Sequence, residues 1–287
     1  MTGGPIKMHK QENKDLRIFA HEIRKAILYG LQTSHMGHIG GEMSLCELLS
    51  VLYGNTMRYD PQKPDWEGRD RLVLSKGHCG PALIAALALK GFFPLEDLKM
   101  LNQNGTAYPN HCDRNKTPGI DMTTGSLGQG FSLAMGMAYA LKLKGNPAYV
   151  YTILGDGECE EGQVYEAALF AHTRKLNNVI AFIDKNLKQL DGYTREICDV
   201  GDLAAKFKAF EWFVQEIDGH DVTNIDEAIR KAKDQDRPSM IVLDTVKGKD
   251  CTFAENVYYN HHVTFNDDQI AEATAYLDQK IKEIEHE

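Results

Sequence analysis

Residues 149–192 read YVYTILGDGECEEGQVYEAALFAHTRKLNNVIAFIDKNLKQLDG. The stretch begins in an apolar run, Ala148 to Leu154, rich in β-branched and aromatic residues, which predicts a buried strand. The run stops at Gly155-Asp156-Gly157, where two glycines let the backbone turn sharply and approach a ligand. That turn leaves the Asp156 carboxylate at the C-terminal end of the strand. A helix is expected from about Glu161 to Arg174, with Val164, Ala168 and Ala171 on one side. A second buried strand, Val179 to Ile183, then delivers Asp184-Lys185-Asn186. Strand, turn, helix and strand make a parallel pair whose loops leave from one edge of the sheet, so Asp156 and Asn186 should converge there.

An Asp carboxylate, an Asn amide oxygen and a backbone carbonyl are hard oxygen ligands, suited to magnesium or calcium. Magnesium takes few protein ligands and fills its shell with water and phosphate oxygens. A Gly-Asp-Gly turn also occurs with no ligand, and it is the asparagine after the next strand that makes the pattern specific. GDG followed at this distance by Asn resembles the fingerprint of thiamin-diphosphate enzymes. The fuller form, GDGECEEG with DKN and LDG, resembles the transketolase branch. The fold this implies is α/β, a parallel β-sheet covered by helices on both faces.

The 287 residues are 43% hydrophobic, enough for a substantial core, and their formal charge of −9 argues against non-specific nucleic-acid binding. A diphosphate is anionic too, so its attraction must be local, through a metal, histidines and helix N-termini. The six cysteines, at 46, 79, 112, 159, 198 and 251, form no CxxC pair, so a zinc site is not expected. With no signal peptide or long apolar span, they suggest a reduced, cytoplasmic protein without a membrane segment. Residues 1–12 read as a flexible tail and 13–287 as one domain, since strands and helices alternate to the end without repeat or linker.

Other segments carry the same resemblance. A helix predicted from Asn13 to Leu31 leads into SHMGHIGGEMS, similar to the SGHxGG segment of transketolases, with His38 on the family histidine. A second helix is expected over Leu45 to Tyr53. RLVLSKGH, a strand at Arg71 to Leu74 and its loop, is similar to DRxVLSKGH and places His78 at the diphosphate and substrate. Without the resemblance, His78 could equally belong to a helix-capping loop. TTGSLGQG, 123–130, is similar to TTGxLGQG and opens a helix with Leu133, Met137 and Leu141 on one face. Gly125, Ser126 and Leu127 would then lie against the cofactor, and His111 precedes them as a substrate-facing histidine. Beyond Gly192, strands are expected at Trp212 to Ile217 and Ser239 to Thr245, and a closing helix at Asp267 to Ile284. KGKDCTFAENVYYNHH, 247–262, follows the family's last loop and places His261 on its histidine. Asp250 replaces a glycine of the family's KGKG and His262 replaces the glycine after the histidine, which puts the loop's shape in question.

Carried over residue by residue, the resemblance implies thiamin diphosphate held with Mg2+ (or Ca2+) by Asp156, Asn186 and the carbonyl of Lys188. Gly155, Gly157, Glu158, His78 and His261 would address the diphosphate end, while Leu127 and Leu190 flank the rings. His38, His78, His111 and His261 would serve the substrate. Glu161 matches a glutamate that links the two sites of a dimer, although an acidic first-turn residue also needs no more than the helix dipole. In the family the cofactor is the electron sink for moving a two-carbon ketol unit from a ketose to an aldose. The carboxylic acid and aromatic pocket for its aminopyrimidine lie in a second domain that this chain does not contain. The chain therefore resembles the N-terminal half of a split transketolase, expected to form an α2β2 assembly with a separate C-terminal subunit. Two alternatives stand beside this: the α subunit of a 2-oxo acid dehydrogenase or decarboxylase, and a non-catalytic paralogue.

Overall fold

The computed structural model describes residues 8–287. Residues 1–7 of the expected tail lie outside the described residues, and the tail's last positions are helical instead. Helix α1 spans Lys10–Leu31, starting ahead of the expected Asn13, because Glu12 reaches back to the backbone of His9 in a capping box. Strand β1 (Met36–Gly37) and the short helix α2 (Ile39–Met43) precede α3 (Cys46–Val51), which runs into one π turn, Leu52–Thr56. Then come β2 (Arg71–Leu74), α4 (Gly80–Leu89) and α5 (Gln129–Leu143). Next are β3 (Val150–Gly155), α6 (Gly162–Thr173), β4 (Val179–Lys185) and the single turn α7 (Thr194–Ile197). The chain closes with α8 (Leu203–Ala209), β5 (Phe213–Asp218), α9 (Val222–Lys233), β6 (Ser239–Asp244), β7 (Val263–Thr264) and α10 (Asp267–Glu285).

Five strands form one parallel sheet in the order β2-β3-β4-β6-β5. Their side chains alternate between two apolar layers, as a pleat buried on both faces requires. Tyr151, Ile153, Ile180, Phe182, Ile241 and Leu243 pack under α1, α3, α4, α9 and α10. Val150, Leu154, Val179, Ala181, Ile183 and Val242 face α5, α6 and α8. This is the expected α/β sheet, covered on both sides. One expected face is wrong in detail. On α5 the buried residues are Phe131, Ala134, Met135, Ala138 and Leu141, while Leu133 is 43% exposed.

A second pairing has no counterpart in the sequence reading. β1 and β7 pair antiparallel, Met36 opposite Thr264 and Gly37 opposite Val263. Two-residue strands carry no periodicity, so nothing local announces them. Their effect is to bring His38 beside His261 and His262. The same junction is tightened where Gly248 N–H donates to Gly40 O at 2.8 Å. A Cβ on Gly40 would lie 2.2 Å from Asn260 O and 2.8 Å from Lys247 Cγ. Gly40→Ala should therefore force these loops apart and cost about 1–3 kcal/mol, as overpacking does. Urea unfolding checks this, and an unchanged midpoint would contradict the close approach.

Candidate active site

Register aligns the strand ends: Gly155 stands opposite Asp184, and Lys185 opposite Asp244. The loops after β2, β3, β4 and β6 consequently rise from one edge, and a cavity of about 350 Å3 opens between them. Asp156, Asn186, Lys188, His78, Lys247 and His261 all line it. The convergence expected of Asp156 and Asn186 is thus the geometry found.

Beneath the cavity lies a buried ion pair. The Lys76 ammonium, from the loop after β2, meets the Asp184 carboxylate at the end of β4. Both are withdrawn from water. Ser44 Oγ donates to Asp184 at 2.7 Å, Asn186 Nδ2 at 3.0 Å, and Thr245 Oγ1 also donates to it. Burial opposes Asp184's charge, but Lys76 and these hydrogen bonds outweigh it and hold the carboxyl below its usual range. Asn186 is thereby oriented, its amide nitrogen committed downward and its oxygen left with a 3.2 Å contact from Lys188 N–H.

Asp156 stands in a different condition. It is 2% exposed and accepts from Gly157 N–H at 2.9 Å and Leu187 N–H at 2.6 Å. No ion pair reaches it among the described residues, and burial together with the nearby Asp184 charge pushes it up to about 6. A buried carboxylate short of positive charge, beside an amide oxygen, is a donor set that suits a divalent cation. No cluster of three or more His, Cys, Asp or Glu able to hold a metal occurs among the described residues. A metal here would therefore lean on other oxygens, as magnesium does with phosphate. The third expected ligand, the Lys188 carbonyl, accepts the Lys247 ammonium at 2.7 Å. Lys247 also approaches His261 Nδ1 at 3.0 Å, and burial together with Lys76 lowers it to about 8.

On the outer side of the cavity five imidazoles gather. The His38 ring centroid lies 5.2 Å from His78, 5.9 Å from His111, 5.4 Å from His261 and 4.9 Å from His262. His78 and His261 are 4.8 Å apart. Burial, then the neighbouring His262 and His111, lowers His38 to about 4, and burial with Lys247 lowers His261 to about 3. His78 is held well below its ordinary value and His111 is lowered, in both cases chiefly by burial. At neutral pH these four are neutral rings, each able to donate one hydrogen bond and accept another. Asn110 Nδ2 approaches His38 Nδ1 at 3.3 Å and donates to His78 O at 3.4 Å, tying the rings' loops together.

The remaining expected residues are placed less evenly. Gly155, Gly157, Gly125, Leu127 and Leu190 line the cavity, Leu190 being 59% exposed. Glu158 lines it too, but its carboxylate is occupied by Ser75 Oγ, Gly128 N–H at 2.8 Å and Gly155 N–H at 3.1 Å, and so fastens three loops. Glu161 is exposed at the cavity's rim, and Ser126 is exposed outside its lining. Lys76, Lys247, Asn110 and Asp184 were not picked out from the sequence. The signal for the two lysines was present in SKGH and KGK, whose basic residues sit among glycines at strand ends.

Comparison with known proteins gives the chain a family. Residues 17–283 match the family model described as transketolase, thiamine diphosphate binding domain. A 6-deoxy-6-sulfo-D-fructose transketolase subunit from Clostridium sp. (strain MSTE9) is 50% identical over 271 residues, covering 94% of this chain and 98% of that one. An apulose-4-phosphate transketolase subunit from Phocaeicola vulgatus is 34% identical over 273 residues, covering 95% and 97%. A mutant transketolase from Pichia stipitis, solved with fructose-6-phosphate, superposes with a TM-score of 0.84 at 30% identity. That match covers 94% of this chain and 44% of the Pichia chain, so the present chain spans less than half its length.

Two outcomes follow from the electrostatics. Lys76→Met would leave Asp184 buried without its cation and should destabilise the fold by about 3–5 kcal/mol, read as a fall in the urea midpoint. His38, with a folded value near 4 against 6.5 unfolded, lends stability that is complete above about pH 6.5 and lost as pH falls towards 4. His38→Asn should flatten the decline in stability across that window. An equally steep decline in both proteins would show that His38 is not held neutral.

Proposed function

Because the chain belongs to the transketolase family, matching its thiamin-diphosphate-binding domain, we propose that it is one subunit of a two-chain ketol transferase. It would move a two-carbon ketol unit from an anionic ketose to an aldose. The observation that carries this reading is a buried, cation-deficient Asp156 in a cavity that His78 and His261 also line, with His38 packed against both rings. The carboxylate suits a metal-bound diphosphate, the rings a hydroxyl-rich substrate. Magnesium would be held by Asp156, Asn186 and the Lys188 carbonyl, with the cofactor's diphosphate facing Gly157, His78 and His261. When bound, thiamin diphosphate supplies the electron sink that ketol transfer needs.

The chain's own residues supply position and proton transfer. A divalent ion would compete with Lys247 for the Lys188 carbonyl, and a diphosphate oxygen offers that ammonium another partner. His38, His111 and His261 would hold the sugar hydroxyls by hydrogen bonds as neutral rings, and any proton they take would have to be stabilised by charge developing on the substrate. His262, exposed and edge-on to His38, would border the substrate and bear on its choice.

A separate partner chain is supported by exposed apolar surface. Leu133, Leu143 and Leu169 on α5 and α6 are 43–70% exposed, and Leu187, Leu190 and Tyr259 beside the cavity 53–68%. Such surface commonly marks an interface, and an α2β2 assembly fits it. Among donors, the 50% identity to a sulfofructose transketolase subunit over 98% of that chain favours 6-deoxy-6-sulfofructose over apulose-4-phosphate. The family match favours ketol transfer over oxidative decarboxylation of a 2-oxo acid.

The test is to co-purify the partner and assay donors with thiamin diphosphate and magnesium, with and without that second chain. Turnover should need both chains and be fastest with a sulfonated ketose. Substantial turnover by this chain alone would refute the two-chain reading, and retained cofactor without any ketol transfer would favour a non-catalytic paralogue. Asp156→Ala should weaken cofactor uptake by several kcal/mol, roughly the worth of a buried charged ligand, while leaving the fold intact. Titration calorimetry on the assembled complex reads this directly, and wild-type affinity in the variant would remove the metal assignment.

A further inference from the structure

Lys247 reaches the cavity from a loop, 245–250, whose own packing holds it poorly at one point. Val246, the residue before it, is 42% exposed, whereas Lys247 is 4% exposed. An exposed valine side chain cannot anchor its backbone through burial, so the constraint must come from hydrogen bonds. The Val246 N–H donates to His220 Nε2 at 2.8 Å. His220 stands in the loop between β5 and α9 and is not among the residues that line the cavity.

The bond settles the tautomer. A backbone N–H can only donate, so Nε2 is the acceptor and Nδ1 carries the proton. That proton faces Glu47 Oε2, 3.0 Å from Nδ1. Glu47 is itself held by the fully buried Arg24, whose guanidinium donates to it at 2.8 Å. The same guanidinium donates through Nε to Lys249 O at 3.0 Å, further along the loop. From the other side Asn260 Nδ2 donates to Lys247 O at 3.0 Å. Around Lys247 the backbone is also held by Thr245 N–H to Lys185 O at 3.3 Å and by Lys249 N–H to Val246 O at 3.1 Å, but at the Val246 N–H, directly ahead of Lys247, the partner is His220.

We propose that His220 is a positioning residue: through its unprotonated Nε2 it sets the backbone ahead of Lys247 and so aims the ammonium at the diphosphate end of the cavity, with Glu47 and Arg24 fixing the ring. The inference rests on the functional reading above for what Lys247 faces. It assigns to a turn histidine outside the cavity an effect on cofactor affinity rather than on fold alone. Partners that orient a ligating group in this way typically change affinity by about 10–100-fold when removed.

Two amide substitutions separate positioning from packing. A glutamine amide reaches the place of Nε2 and can accept from Val246 N–H. An asparagine amide stops at the place of Nδ1 and can serve only Glu47. Amide hydrogen exchange over 244–250 should show protection at Val246 kept in His220→Gln and lost in His220→Asn. That measurement needs no cofactor. In the assembled complex with magnesium, the half-saturating thiamin diphosphate concentration should rise about tenfold or more in His220→Asn and less than about threefold in His220→Gln. Equal protection in the two variants, or loss of protection with unchanged cofactor affinity, would overturn the proposal. A wild-type complex that takes up no thiamin diphosphate would instead sink the functional reading, and the exchange contrast would still decide the tether.

Discussion

The ammonium of Lys76 and the carboxylate of Asp184 meet where water does not reach, and four loops depend on that meeting. Lys76 comes from the loop after β2 and Asp184 from the end of β4. Ser44 joins them from the turn between α2 and α3, and Thr245 from the loop after β6. Two charges taken from water cost several kcal/mol each, so they are tolerable only with close geometry and filled hydrogen bonds. Asp184 meets that condition with donors on both oxygens. The arrangement contributes little as a source of stability in itself. Its consequence is register: any loop that shifts leaves a buried charge unpaired, so the cavity's floor has one low-energy arrangement.

Above that floor, the charge balance of the whole molecule and that of the site point opposite ways. The chain carries a formal −9, yet the cavity is suited to an anion bound through a metal. Distant surface charges are screened within about 10 Å at ordinary ionic strength, whereas Lys76 and Lys247 act at contact range in a poorly hydrated space. Burial also keeps the histidines neutral, so each ring can accept one hydrogen bond as well as donate one. Asp156 is the complement: a carboxylate that burial penalises until a cation arrives. On the proposed reading, the same desolvation leaves neutral hydrogen-bonding rings on one wall and would make a cation seat of the other.

How much of this could be read in the sequence follows from the range of each interaction. The β3–α6–β4 unit was legible because strand and helix periods, and the glycines at Gly155 and Gly157, are local signals. Helix α4, Gly80–Leu89, carries a local signal of the same kind, an apolar run with Pro81 at its start. His38, His78 and His261 were found only because motifs marked them, and their convergence depends on pairings such as β1 with β7, which two residues cannot encode visibly. Lys76 and Asp184 lie 108 positions apart, and nothing in either segment names the other. The expected apolar face of α5 at Leu133 failed because a helix with apolar residues on several sides does not reveal which side faces the sheet and which is left exposed.

On the proposed function, Asp156 and Asn186 at the shared strand edge would make a metal–diphosphate seat. A crystal structure of the assembled complex grown with thiamin diphosphate and manganese in place of magnesium tests it, since manganese is visible by anomalous scattering. The expected result is a single strong peak within about 2.0–2.4 Å of the Asp156 carboxylate and the Asn186 amide oxygen, beside the diphosphate. Cofactor density with the metal peak elsewhere, or with Asp156 free of any cation, would contradict it.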